Sequence, residues 1–236
     1  MRLLLLSNSR NPGGGWLDHA EAEIREFLGK CGATPQSPLL FFPFAAVSIS
    51  FSAYSAMARK RFAKMGYALV GAEAARRTTG YGAYVAGGGN TFRLLHEMQR
   101  RGWLKKVEGA VRKGTPYVGW SAGSNLACPT IRTTNDMPII EPASLDAMGL
   151  LPFQLNPHYT ERSLSRHGGE TRDQRIAEFL VLNPKLTVLG LREGSLLRVE
   201  GKRMEIKLGQ GGRVFRHGAR PRDLKPGKQG RATFSF

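Results

Sequence analysis

The sequence predicts an α/β fold built on a mainly parallel sheet, and three observations carry that prediction. Short apolar runs alternate with amphipathic stretches along most of the 236 residues, the pattern of strands joined by crossover helices. A triple glycine, Gly87-Gly88-Gly89, separates one apolar run from the amphipathic stretch after it. Further on, Gly119-Trp120-Ser121-Ala122-Gly123 fits G-x-S-x-G, in which a strand turns sharply into a helix and leaves the serine hydroxyl at the bend.

Taken in order, Arg2 to Ser7 reads as a buried first strand. Its run of four leucines is shorter than the apolar core of a secretion signal, and no small-residue cleavage site follows. Trp16 to Leu28 spaces Leu17, Ala20, Ile24, Phe27 and Leu28 at helical intervals. Leu39 to Phe44 predicts a second strand, Tyr54 to Met65 a basic helix, and Ala68 to Gly71 a third strand. Tyr84 to Ala86 is a strand ending in the triple glycine, followed from Thr91 by a helix carrying Phe92, Leu95 and Met98. Pro116 to Gly119 is the strand that feeds the serine turn, and Thr187 to Leu191 is another buried strand. From Ser195 onward the chain reads as short strands and turns. With no repeat, low-complexity tract or clear linker, a single domain over residues 1–236 is expected.

Composition narrows the function classes. A hydrophobic content of 41% with 22% charged residues is that of an ordinary globular protein, and no apolar run is long enough to span a membrane. The net charge of +17 raises the question of nucleic acid. About half of that excess lies in residues 201–236, which hold ten Lys or Arg against two Asp or Glu. Aromatic residues there are sparse and no nucleic-acid-binding motif is present, so a solvated basic surface is the better reading. The two cysteines, Cys31 and Cys128, have neither metal-ligand spacing nor the density of a disulfide scaffold, which points to a reducing cytoplasm.

In open α/β sheets, sites form at the carboxyl ends of strands. Gly87 to Asn90, Ser121 and Glu193 all fall at such ends. A serine nucleophile needs a base and a group to orient that base. Of His19, His96, His158, His167 and His217, only His158 sits in a segment with a fixed backbone, Leu155-Asn156-Pro157-His158-Tyr159, where proline restricts both itself and Asn156. An oxyanion hole needs backbone N–H groups. Ala122, directly after the serine, supplies one, and Gly88 in the uncovered glycine turn is the choice for the other. Asn90, closing that turn, is a candidate substrate-binding residue. As a phosphate cradle the triple glycine lacks both the Lys-Ser/Thr ending and the G-x-G-x-x-G spacing.

At this point whole segments match a known family. GWSAGSN, ACPTIRTTNDMPI, NPHYTE, GETRDQRI and LTVLGLREGS, with LLLLSNS before them and GGGNTFRLL between, closely resemble the peptidase E, or α-aspartyl dipeptidase, family over most of residues 1–200. The resemblance implies a flavodoxin-like fold similar to class I glutamine amidotransferases, with helices on both faces of the sheet. It implies a cytoplasmic serine hydrolase that removes N-terminal aspartate from dipeptides without metal or cofactor. Its serine falls on Ser121, its histidine on His158, and its acidic candidates on Asp136 and Glu193. Residues 71–84, short and arginine-rich, and the basic terminal segment depart from the family pattern.

Glu193 follows a strand directly, so the expectation is that it orients His158, while Asp136 holds the site or the substrate amine. Arg172, in Gly169-Glu170-Thr171-Arg172, is expected to grip the substrate's aspartate side chain, because a planar guanidinium can hold both carboxylate oxygens. Its alternative is a solvent-facing partner of Glu170 or Asp173. The expected partner is a small dipeptide, with no specific nucleic acid and no membrane, and a homodimer is the assembly to consider. Competing functions are a cyanophycinase-like β-aspartyl peptidase and a non-catalytic basic module that binds polyanions. A glutamine amidotransferase is disfavoured, because that chemistry needs cysteine in the turn and Cys128 lies seven residues past Ser121.

Overall fold

Four consecutive leucines begin the first strand's burial on both faces, and the computed structural model, which describes residues 1–34, 36–161 and 168–226, places that strand inside a seven-stranded sheet. Strand β1 (Arg2–Leu6) lies between β5 (Tyr117–Trp120), parallel to it, and β8 (Leu196–Glu200), antiparallel. Strands β2 (Leu39–Phe42), β3 (Leu69–Gly71) and β4 (Tyr84–Ala86) continue the parallel part, and β9 (Arg203–Lys207) closes the antiparallel edge. The order is β3-β2-β4-β5-β1-β8-β9.

Alternation along each strand divides the core. Leu3 and Leu5, with Leu40, Phe42, Tyr84 and Tyr117, face α3 (Thr91–Arg100), α4 (Trp103–Arg112) and the short α5 (Ala122–Leu126). Leu4 and Leu6, with Phe41, Val85, Val118 and Trp120, face α1 (Glu21–Lys30) and α2 (Phe51–Lys64). Helices therefore cover both faces, the α/β arrangement that the strand–helix alternation and the family resemblance predict.

A second, four-stranded sheet departs from the expected single sheet. It runs β11-β10-β7-β6, from β11 (Arg222–Leu224) through β10 (Gly212–Arg216) and β7 (Thr187–Arg192) to β6 (Gln154–Tyr159). Its residues Leu155, Leu189, Leu191 and Val214 belong to the same core as α3 to α5. Its other face is covered by α6 (Arg172–Leu182) through Ile176 and Leu180, packed with Tyr159, Val188 and Phe215. His158 thus lies on a strand and not in a loop. Pro157 is tolerated because the β6–β7 pairing shifts register between Asn156 and Tyr159. The basic helix begins at Phe51, three residues before Tyr54, with Ser50 capping it. Helix α4 lies outside the elements expected from the sequence, and α6 corresponds to the helix considered for Arg172.

Candidate active site

The turn after β5 is sterically dictated. Ser121 sits at φ 53° and ψ −112°, a conformation that non-glycine residues rarely adopt and that surrounding contacts must impose. Its N–H donates to Leu6 O at 3.1 Å, and its carbonyl accepts the N–H groups of Ser124 and Asn125 at 2.9 and 3.0 Å, so α5 starts at once. A Cβ on Gly123 would stand 2.2 Å from Ala86 O, and one on Gly119 would stand 2.5 Å from Gly123 O. Both glycines of the pattern are therefore required for the helix to pack this close to β4 and β5. The Ser124 hydroxyl, 2.7 Å from Leu6 O and 3.0 Å from Gly119 O, braces the same bend.

His158 meets this serine from the other sheet. Its Nε2 lies 3.1 Å from Ser121 Oγ, and its Nδ1 lies 2.8 Å from Glu193 Oε1. The three side chains form one continuous relay from hydroxyl to imidazole to carboxylate. The His158 backbone also has positive φ, 54°, and is held on both sides. Its N–H donates to Ser7 Oγ at 2.9 Å, and the preceding carbonyl, of Pro157, accepts from Asn135 Nδ2 at 2.8 Å. Glu193 occupies the turn between β7 and β8, where the N–H of Gly194 donates to Asn8 Oδ1 at 2.7 Å. Ser7 and Asn8, directly after β1, thus fix the backbone beside both partners of the serine.

Gly88 adjoins the nucleophile. A Cβ there would stand 2.8 Å from Trp120 Cδ1 and 3.2 Å from Ser121 Cβ, so any side chain would crowd the serine. The Gly88 carbonyl accepts the Tyr54 hydroxyl at 3.1 Å, and that hydroxyl accepts Trp120 Nε1–H at 3.2 Å. Burial, partly offset by the bond from Trp120, pushes the Tyr54 phenol up to about 12, so it stays a donor to Gly88. Ala122 is the first residue of α5, and its N–H is one of the amides that no intrahelical carbonyl can reach. The two expected oxyanion donors therefore flank Ser121, one in the glycine turn and one at the start of its helix.

A sequence profile of peptidase family S51 matches residues 3–207. The chain belongs to that family. A relative from Nostoc sp. named peptidase E is 47% identical over 209 residues, which cover 87% of this chain and 85% of the relative. Another of the same name, from Citrobacter koseri, is 47% identical over 204 residues, covering 84% and 86%. The solved structure of a peptidase from an acI-B1 Actinobacterium superposes with a TM-score of 0.69 at 14% identity, over 96% of this chain and 95% of that one, a likeness of fold.

The remaining expected residues of this S51 peptidase, Asp136, Asn90 and Arg172, lie outside the relay. The Asp136 carboxylate faces the start of α3: Oδ2 accepts the Thr91 N–H at 2.8 Å and the Thr91 and Thr134 hydroxyls at 2.5 and 3.1 Å. Among the described residues, no hydrogen bond or ion pair joins it to His158. Asn90 caps α3 by accepting the Arg93 N–H at 3.0 Å, and its Nδ2 donates to Met137 O at 2.8 Å. Both of its polar ends are spent inside the protein.

Arg172 opens α6, half-buried, and its Nη1 donates to Asn135 Oδ1 at 2.5 Å. The same oxygen accepts Asn156 Nδ2 at 2.7 Å, so Asn135 ties Arg172 to the strand that carries His158. Neither neighbouring acid is its partner: Glu170 pairs with Arg175, and Asp173 bonds Tyr159 and Arg213. Among the described residues the Arg172 guanidinium meets no carboxylate. Burial, and then the nearby Arg175, hold its pKa below the ordinary arginine value.

Among the other histidines, His19 lies in a short 3-10 turn, His96 contacts Glu141 O at 3.0 Å, His217 follows β10, and His167 lies outside the described residues. Cys128 is fully buried and accepts the Leu155 N–H at 3.2 Å, and burial pushes its thiol up to about 12, the state of an inert structural cysteine. Among the described residues no cluster of His, Cys, Asp and Glu could hold a metal ion, and no helix is long and apolar enough to cross a membrane. Ser7, Asn8, Tyr54 and Asn135 were not expected at the site. Their partners are remote in sequence, and the quoted segments LLLLSNS and ACPTIRTTNDMPI marked Ser7, Asn8 and Asn135 but gave them no role.

Proposed function

We propose that this S51 peptidase is a serine dipeptidase that cleaves Asp-Xaa dipeptides through an acyl-enzyme. The observation that carries the reading is the unbroken Ser121–His158–Glu193 relay with Gly88 and Ala122 beside the serine. Ser121 Oγ attacks the scissile carbonyl while His158 Nε2 takes its proton. Glu193, on Nδ1, favours the tautomer that leaves Nε2 free to accept, and stabilises the imidazolium that results. The oxygen of the tetrahedral intermediate takes hydrogen bonds from the Gly88 and Ala122 N–H groups. The imidazolium then returns its proton to the leaving amine, and Xaa departs. Water, deprotonated by the same imidazole, attacks the ester, and collapse returns the proton to Ser121 and releases aspartate.

The relatives' name, peptidase E, and the Arg172 guanidinium, bonded to the neutral Asn135 side chain and meeting no carboxylate among the described residues, support aspartate as the residue removed. A half-buried cation that meets no carboxylate among the described residues is suited to one brought by substrate, since the desolvated charge gains an ionic partner on binding. The reaction calls on no partner beyond the dipeptide. Two free thiols, Cys31 and Cys128, support a reducing, cytoplasmic setting.

The test is hydrolysis of Asp-Leu, Glu-Leu and Leu-Leu side by side. Asp-Leu should be cleaved with a kcat/KM at least about 100-fold above the other two. Comparable rates for Leu-Leu would overturn the assignment of substrate while leaving the serine chemistry standing.

A further inference from the structure

Each of three site residues has a chain neighbour in one ion-pair network. Tyr159 follows His158, Asp173 follows Arg172, and Arg192 precedes Glu193. Tyr159 and Arg192 are also register partners across β6 and β7. The Tyr159 hydroxyl donates to Asp173 Oδ1 at 2.5 Å, and Arg213 Nη1 donates to Asp173 Oδ2 at 3.1 Å. Arg213 also pairs with Asp223 at 2.9 Å, Asp223 with Arg192 at 2.7 Å, and Arg192 with Glu161. The network therefore runs from the start of α6 through β10 and β11 to the ends of β6, which carries His158, and β7, which leads to Glu193.

The first turn of α6 needs such an anchor. Thr171 and Gln174 form a capping box, with Gln174 N–H to Thr171 Oγ1 at 3.3 Å and Thr171 N–H to Gln174 Oε1 at 2.7 Å. That box shapes the turn internally but says nothing of where the turn points. Two contacts aim it at the site: Arg172 on Asn135, and Asp173 on Tyr159 and Arg213. The first is made by the guanidinium itself, whose long side chain would otherwise sample many rotamers. The second holds the backbone from which that side chain springs.

We propose that Asp173 is a positioning residue for recognition of the substrate's aspartate: anchored by Tyr159 and Arg213, it fixes the origin of Arg172 relative to His158. This rests on the reading of Arg172 given above. A bidentate carboxylate grip tolerates little displacement, and an error of about 1 Å at a positioning group can cost on the order of 100-fold. Asp173 therefore acts on specificity through Arg172, without touching substrate. Burial and the Asp173 carboxylate keep the Tyr159 phenol well above its ordinary pKa, so this anchor persists across the working pH range.

A double-mutant cycle tests the proposal, with kcat and KM measured for Asp-Leu and Asn-Leu. Asp173→Ala should raise KM for Asp-Leu about tenfold, keep kcat within about twofold, and leave Asn-Leu nearly unchanged. On an Arg172→Leu background the same substitution should have no further effect, because the group it positions is gone. Tyr159→Phe, which keeps the ring and removes one anchor, should reproduce the effect in smaller degree and serves if Asp173→Ala does not fold. Equal losses on both substrates, or a full effect on the Arg172→Leu background, would overturn the positioning role. If Arg172→Leu alone leaves the preference for Asp-Leu over Asn-Leu intact, the reading of Arg172 fails, an outcome distinct from the failure of Asp173 alone.

Discussion

The Ser7 hydroxyl holds the backbone of His158, accepting its N–H at 2.9 Å while donating to Leu191 O at 2.7 Å. One buried side chain after β1 thus joins the strand of the histidine to the strand that leads to Glu193. Ser7→Ala leaves the partly buried His158 N–H and the buried Leu191 carbonyl short of their partner, at roughly 1–3 kcal/mol of stability. Because His158 keeps its positive φ only under constraint, kcat should fall by about tenfold as well. Chemical denaturation together with steady-state kinetics checks both parts. A variant that loses stability but keeps its full kcat would reduce Ser7 to a packing role.

Ser121→Ala removes the covalent route. A folded protein with kcat reduced by at least about 1,000-fold is expected, since only positioning and the oxyanion donors remain. A labelling reagent that reacts with activated serines should also lose its target. Retention of more than about a tenth of the wild-type kcat means that some other group is the nucleophile.

The two carboxylates should separate by phenotype. Glu193→Gln keeps the size of the side chain and removes the charge on His158 Nδ1. It should cut kcat by roughly 10- to 1,000-fold, less than for a deeply buried triad acid, because Glu193 is 53% exposed and water can substitute in part. Asp136→Asn strikes the start of α3 and should chiefly lower thermal stability, by about 1 kcal/mol. Thermal melts and kinetics on both variants decide the matter, and an Asp136 variant with the larger loss of kcat at unchanged stability reverses the assignment.

Arg172→Leu should raise KM for Asp-Leu by at least about tenfold and narrow the preference over Asn-Leu, with kcat for Asn-Leu close to wild type. The relay contains no atom of Arg172, so chemistry on a neutral side chain proceeds. Unchanged discrimination between the two dipeptides would show that another group reads the aspartate.

Acid should loosen the network beside the site. Arg213 and Arg192 hold the Asp223 carboxyl well below the usual range, and the bond from Arg192 outweighs burial to lower Glu161. Both folded-state values lie below the unfolded ones, so the stabilisation is complete above about pH 5 and is lost as the pH falls through about 4 and below. Asp223→Asn should therefore be less stable than wild type at pH 7, with a gap that narrows towards pH 3. Denaturant midpoints at the two pH values test this, and a gap of constant size excludes the linkage.

How much of this was legible depends on whether the cause lies near in sequence. Leu3 to Leu6 could be read as a strand buried on both faces because a continuous apolar run has no other use in so short a segment. The serine turn was legible because the steric demand falls on Gly119 and Gly123, within two residues of Ser121. The strand around His158 was not, since Pro157 and the polar Asn156 argue against a strand, and only pairing with β7 across a bulge makes one. Tyr54 and Ser7 escaped for a related reason. Their hydrogen bonds reach Gly88 and Leu191, 34 and 184 residues away, and no local pattern encodes such pairings.

The division of the relay between two sheets has a consequence for how activity arises in time. Ser121 belongs to the large sheet, and His158 to the small one, while Glu193 stands where the chain crosses from one to the other. Closing the relay brings together segments separated by 151 residues at Ser7 and His158, and by 186 at Asn8 and Gly194. Contacts so distant along the chain are slow to form, because their loop entropy must be overcome before they stabilise anything. A chain still emerging from the ribosome, with Ser121 synthesised ahead of His158, accordingly carries its serine without that histidine. On the roles proposed above for Ser121, His158 and Glu193, hydrolysis requires this docking of the small sheet on the large one, so a chain that has not made it is chemically silent.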